Sequence, residues 1–124
     1  MGNIEIAAVL FDAFAKGDDL TVRNLCSSNL RARQNNGEPM DLGTLLAFSA
    51  AVTRVVKDFR YCEPVRSLTR TGFVEEHAVR GTLPSGETFD LAVCVVADVK
   101  DGKITDMREY FDSAAAASLI AAQR

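Results

Sequence analysis

The chain has 124 residues, 48% of them hydrophobic and 25% charged, with a formal net charge of −3. That balance fits one globular domain over residues 1–124 and excludes a disordered or collagen-like chain. An acidic chain without a dominant basic stripe is not expected to bind nucleic acid. No apolar run nears the roughly 18 residues that cross a bilayer, so no membrane partner is expected either.

The first residues lack the basic start of a secretory signal and the hydroxyl residue a myristoylation motif wants at position 6, which is Ile6. Cys26, Cys62 and Cys94 are odd in number and have no metal-ligand spacing. Their apolar neighbours read as small buried hydrophobes in a reducing cytoplasm.

Ile4, Ala7, Ala8, Phe11, Phe14 and Ala15 recur at helical spacing, which predicts a helix over 3–16 stopped by Gly17. Asp18-Asp19 opens a short second helix to about Cys26. Ser27-Ser28-Asn29 reads as a loop. Leu30 to Gln34 reads as a short strand closed by the Asn35-Asn36-Gly37 turn. Asp41 caps a third helix whose broad apolar face runs from Leu42 through Leu45, Leu46, Phe48 and Val52 to Val55.

The period then changes. Residues 59–70 have strand character, with Pro64 marking an edge or bulge. Residues 72–83 and 88–99 form a hairpin about Pro84-Ser85-Gly86-Glu87. Phe89, Leu91, Val93, Val95 and Val99 share one face of its second strand. Asp101-Gly102 is a strong hairpin signal leading into a strand over 103–111. Asp112-Ser113 then caps an alanine-rich helix ending near Ala122. Helices followed by a meander of strands predict an α+β fold, with helices on one face of a curved sheet and a pocket between them.

Several stretches resemble the SnoaL-like proteins of the nuclear-transport-factor-2-like superfamily. They are Gly81-Thr82-Leu83-Pro84-Ser85-Gly86, Val93-Cys94-Val95-Val96, Asp101-Gly102-Lys103-Ile104-Thr105 and Arg108-Glu109-Tyr110-Phe111-Asp112. The Ala15-Lys16-Gly17-Asp18 corner and Arg33-Gln34-Asn35-Asn36 fit as well. The resemblance implies a cone-shaped barrel: N-terminal helices on a strongly curved, mostly antiparallel sheet, with a short C-terminal helix. It also implies a homodimer through the open sheet face. Activities on this fold range from cyclases, isomerases and epoxide hydrolases to non-catalytic domains.

Two catalytic sets of the superfamily do not carry over. Limonene epoxide hydrolases have an Arg-x-Asp pair before the Pro-x-Gly turn and an Asp on the last strand. Without gaps those positions are Glu76, Ala78 and Glu109, with Met107 at the tryptophan position. Ketosteroid isomerases use a first-helix tyrosine, which falls near Leu10, and an acid in the region of Arg33-Gln34-Asn35, which has none.

With a four-residue loop, Leu83 would face Thr88. Glu76, Ala78 and Arg80 would then share a face with Leu91, Val93 and Val95, and His77, Val79, Ala92 and Cys94 the other. Glu76, His77 and Glu109 are the candidate proton-transfer residues, since adjoining carboxylates raise one pKa and imidazole titrates near neutrality. His77, the single histidine, needs a bulge to reach the pocket in this register. Phe11, Phe14, Phe48, Leu91, Val93, Met107 and Phe111 are candidates to line the pocket, with Arg33, Asn35 and Arg80 as its polar contacts. Asp90 is placed to orient His77, Asp112 to cap the last helix, and Asp12 is a weak pocket candidate. No metal or other cofactor is expected, because one histidine without clustered ligands cannot fill a zinc shell.

The expected activity is cofactor-free acid–base chemistry on a small hydrophobic organic molecule. The alternative is a non-catalytic ligand-binding or dimerising module, which needs only the apolar cone and the sheet. An apolar outer face carrying Val79, Ala92, Cys94 and Val96 would favour a homodimer.

Overall fold

The computed structural model describes residues 1–122. Helix α1 (Asn3–Lys16) ends where Gly17 takes a left-handed conformation at φ 68°. Helix α2 (Asp19–Leu25) is capped by Asp18, whose carboxylate accepts from the Thr21 amide. Strand β1 (Cys26–Gln34) follows, then α3 (Leu42–Val55), capped by Asp41 accepting from the Thr44 amide at 2.8 Å. Strands β2 (Lys57–Leu68), β3 (Gly72–Thr82), β4 (Thr88–Lys100) and β5 (Lys103–Phe111) come next, and α4 (Ala117–Ala122) is last.

The strand order is β1-β5-β4-β3-β2. Only β1 and β5 run parallel; the other pairs are antiparallel. The sheet is strongly curved but does not close, so the cone is open between the β1 and β2 edges. The α+β architecture is thus the expected one. No helix among the described residues is long and apolar enough to cross a membrane.

Some local expectations are corrected. Ser27-Ser28-Asn29 lies inside β1, where the register slips between Cys26 and Arg31. The slip gives this polar stretch room to stay extended without a hydrophobic pattern. Helix α4 starts at Ala117, after turns over residues 113–116. Asp112 does accept from the Ala114 amide at 2.9 Å, but it caps those turns. The β3–β4 connection is a five-residue loop, closed by the Leu83 amide donating to the Glu87 carbonyl at 2.9 Å. Thr82 therefore pairs with Thr88, and Val79 turns inward. A one-residue change of register moves every side chain of a strand to the opposite face.

That register packs the inner face. Phe73, Val79, Phe89, Leu91, Val93, Val95 and Ala97 are buried against Ile6, Leu10, Phe11 and Phe14 of α1 and Leu46 and Val52 of α3. Pro64 sits where it was expected, on an edge strand beside a register shift between Cys62 and Val65. Asp101 and Gly102 both have positive φ, 52° and 76°, as the tight β4–β5 turn requires.

Gly72 begins β3 with no space for a side chain: a Cβ there would lie 2.0 Å from the Ala97 carbonyl oxygen. Gly72→Ala should therefore destabilise by about 3 kcal/mol, the upper end of ordinary overpacking, because backbone cannot give way as a side chain can. Gly43→Ala in the first turn of α3 meets nothing closer than 3.7 Å. It should be neutral or stabilising by up to about 1 kcal/mol. Urea unfolding of the two variants checks the contrast.

Candidate active site

A cavity of about 330 Å³ lies between the helices and the concave side of the sheet. Phe11 and Phe14 of α1, Phe48 and Val52 of α3, and Phe59 and Tyr61 of β2 form much of its wall. The sheet adds Leu91 and Val93 of β4 and Met107, Glu109 and Phe111 of β5. Arg33 and Gln34 of β1 also line it, whereas Asn35 does not. The Asn35 amide instead clamps the ends of two strands: Nδ2 donates to the Phe111 carbonyl, and Oδ1 accepts from the Phe111 amide, both at 3.0 Å.

Glu109 is the acid of this apolar wall. Burial pushes its carboxyl above the usual carboxylate range; an amide donated by Gln34 Nε2 to Oε1 at 3.0 Å and the His77 imidazole oppose the rise. Tyr61 is a neutral phenol. Burial, with the charges of Glu109 and Glu75 behind it, pushes its pKa far up. The cavity thus combines an acid whose pKa burial raises, a phenol donor and several aromatic faces.

His77 points inward without any bulge, because it pairs with Val93 in an unbroken β3–β4 ladder. Its side chain is fully buried under the cavity wall. Phe11 packs edge-on at 4.9 Å between ring centroids and Tyr61 at 4.7 Å. Nδ1 is 2.6 Å from Glu75 Oε2, while Nε2 has no hydrogen-bond partner. The other Glu75 oxygen is paired with Arg66 Nε of β2.

Glu76 and Arg80 are not in this site. The register that turns His77 inward turns both of them to the outer face. Arg80 there pairs with Glu63 at 3.1 Å and Asp90 at 3.2 Å, so Asp90 does not orient His77. Asp12 is also outside, paired with Lys16 at 2.9 Å on an exposed helix face.

Glu75, Tyr61 and Arg66 are the residues that sequence reasoning missed. Alternation in β3 held a signal for Glu75: Phe73, His77 and Val79 share its parity, while Glu76 and Arg80 share the other. The ungapped placement of the Arg-x-Asp pair on Glu76 and Ala78 falls on the outer face. The inward pair at the same spacing is Glu75 and His77. Cys26 is inert, its thiol pushed up to about 11 by burial. Among the described residues no three His, Cys, Asp or Glu side chains are grouped to hold a metal.

No protein-family model matches the sequence, and no curated protein matches it. Solved structures do match. A candidate SnoaL-like polyketide cyclase from Jannaschia sp. CCS1 superposes with a TM-score of 0.84 at 19% identity, over 95% of this chain and 90% of that one. A candidate polyketide cyclase from Streptomyces antibioticus also gives 0.84 at 19% identity, over 98% of this chain and 99% of that one. A protein of ketosteroid isomerase-like fold from Catenulispora acidiphila gives 0.76 at 12% identity, over 87% and 85%. This chain has the SnoaL-like fold.

In the SnoaL-like cone the concave face of the sheet meets the helices, and Glu109 stands on that face. Its raised carboxyl pKa has a consequence for stability. The folded state holds the proton more tightly than the unfolded one, so stability falls as pH rises from about 4.3, the ordinary Glu value, through the folded value. Glu109→Gln keeps the size of the side chain and removes the ionisation. The variant should gain melting temperature relative to the parent, with the gain larger at pH 7 than at pH 4, as thermal melts across that range would show.

Proposed function

We propose that the protein is a cofactor-free acid–base enzyme acting on a small hydrophobic carbonyl compound, by isomerisation or ring closure through an enol. The observation that carries this reading is the presence of both Glu109 in the cavity wall and an unpartnered His77 Nε2 behind the Phe11 and Tyr61 rings that line it. The reading is also supported by the fold shared with candidate polyketide cyclases.

In this reading His77 Nε2 takes a proton from the carbon next to a substrate carbonyl. Protonated Glu109 gives its proton to the carbonyl oxygen, so an enol forms and the charge stays balanced. Tyr61 donates a hydrogen bond to the same oxygen as charge develops there. Return of the His77 proton at another carbon, with the enol proton passing back to Glu109, completes an isomerisation. Attack by the enol carbon on a carbonyl carbon of the same molecule completes a cyclisation, with the enol proton returning to Glu109 and the proton on His77 passing to the new oxygen. This reading requires the Phe11 and Tyr61 rings to move off the imidazole when substrate enters. The remaining aromatic wall holds the apolar body, and Arg33 stands at the polar mouth.

A non-catalytic binding module is favoured by one specific feature, the complete cover of the His77 side chain by the rings of Phe11 and Tyr61. Exchange of acidic C–H protons in D2O separates the two readings. A panel of apolar 1,3-diketones small enough for the cavity serves as probe. The enzyme reading expects exchange well above buffer, falling about 10²-fold or more in Glu109→Gln and in His77→Gln. Binding without accelerated exchange would instead establish the module.

The same reading includes a homodimer through the outer sheet face and a reducing, cytoplasmic setting. Val74, Cys94 and Val96 form a half-buried apolar strip on that face. Ion pairs flank it, Arg80 with Asp90 on one side and Arg108 with Asp98 on the other. Three free cysteines support the reducing setting. Sedimentation equilibrium at micromolar concentration should give twice the chain mass for the parent and the chain mass for Val96→Asp.

A further inference from the structure

Glu75 is fully buried, the largest departure from an apolar core in this protein. A buried carboxylate costs several kcal/mol unless it is paired and hydrogen-bonded. Here both oxygens are used: Oε2 faces His77 Nδ1 at 2.6 Å, and Oε1 meets Arg66 Nε. Arg66 stands directly opposite Glu75 in the β2–β3 ladder, and its side chain is 25% exposed at the sheet edge. The three groups form a chain from the protein surface to the underside of the cavity.

The chemistry of this chain is directional. A guanidinium has only donors and a carboxylate only acceptors. The hydrogen at the His77–Glu75 contact must therefore sit on Nδ1, and the neutral ring carries its lone pair on Nε2. Arg66 and Glu75 cancel in charge, so the pair itself adds no net charge beneath the apolar cavity. The other groups packed around the ring are Phe11 of α1, Tyr61 of β2 and Val93 of β4, and the nearest further acid on the same sheet face is Glu109 of β5.

We propose that Arg66 and Glu75 are positioning residues that lock His77 in its Nδ1–H tautomer and reserve Nε2 as a bare acceptor for a ligand O–H or acidic C–H. The use of that acceptor in proton transfer rests on the function proposed above; the lock itself does not. Nε2 is the single buried side-chain N or O atom without a partner among the described residues. An orphaned buried acceptor is costly in the empty protein, and a ligand proton removes the cost.

Arg66 makes the lock testable in an unusual way. In Glu75→Gln the side chain keeps its shape but gains one donor arm. Arg66 can only donate, so it takes the new carbonyl oxygen, and the new amide NH2 turns toward His77 Nδ1. That contact demands a lone pair on Nδ1 and drives the hydrogen to Nε2. A buried carboxylate that orients a catalytic histidine gives the same wrong-tautomer outcome when it is changed to its amide. Removing Arg66 as well, in Arg66→Met with Glu75→Gln, frees the amide to turn back and accept from Nδ1–H.

The chain has one histidine, so a long-range 1H–15N correlation spectrum contains one imidazole pattern. It is recorded at alkaline pH, because the tautomer is read on a neutral ring. The parent should show a protonated Nδ1 and an unprotonated Nε2. Glu75→Gln should exchange the two signatures, and the double variant should restore the parent pattern. A parent protein with Nε2–H, or with the two tautomers averaged, overturns the lock without any variant. An exchange in Glu75→Gln that persists in the double variant removes Arg66 from it. For the proton-transfer reading, Glu75→Gln should lower kcat about 10²-fold with little change in KM. If the tautomers behave as stated but no variant or parent exchanges diketone protons, the lock stands as a binding device and the acid–base function falls.

Discussion

Thr82 pairs with Thr88, and the rest of the long β3–β4 ladder follows from that closure. Five residues, Leu83 to Glu87, make the connection, and the Leu83 amide binds the Glu87 carbonyl to hold its length. With five residues, Glu75 lies beside Val95, His77 beside Val93 and Val79 beside Leu91. All point to the helices. With four, the inward set would have been Glu76, Ala78 and Arg80. A charged pair would then sit in the core, with nothing equivalent to Arg66 and His77 to satisfy it.

The same register aligns one polar row across an otherwise apolar face. Gln34 pairs with Glu109, Glu109 with Val95, Val95 with Glu75 and Glu75 with Arg66. Each acid in the row has a donor on the neighbouring strand: Gln34 Nε2 for Glu109 and Arg66 Nε for Glu75. Val95 separates the acids and keeps their charges from sharing one site. The two carboxyls consequently differ. Glu75 is tied to a cation and serves as an acceptor at both oxygens. Glu109 has a neutral amide for a partner and an apolar wall around it, and burial raises its carboxyl above the usual range.

The fold was legible in the sequence because each of its parts has a local cause. Gly17, Asp18, Asp41 and Asp101-Gly102 are caps and turns whose chemistry acts within a few residues, and the elements they bound lie where their spacing placed them. The hydrophobic wall was legible for the same reason, since Phe11, Phe14, Phe48, Leu91 and Met107 follow helical or strand alternation. The polar site was only half legible. Glu109 was found through the resemblance and His77 through its rarity, but the identity of their partners depended on a loop length. Pro-Ser-Gly-Glu fits a four- or a five-residue connection, and only packing across the sheet distinguishes them. Arg66 was further out of reach. It meets Glu75 only after the register shift beside Pro64; the proline marks an edge or bulge, but not which residues pair after it.

That shift joins the edge strand to the chemistry. Between Cys62 and Val65 the pairing of β2 with β3 slips, and Glu63 takes a positive φ of 55°. Before the slip, Tyr61 pairs with Val79 and sends its ring into the cavity beside Phe11 and His77. After it, Arg66 pairs with Glu75. An unslipped β2 that kept Tyr61 opposite Val79 would place residue 65 opposite Glu75, and residue 65 is a valine. The bulge therefore brings a phenol from one edge strand against the imidazole and a guanidinium from the same strand against the carboxylate that holds it. Bulges recur beside active sites because they re-aim side chains in this way, and here the re-aimed residue is the one that neutralises a buried carboxylate.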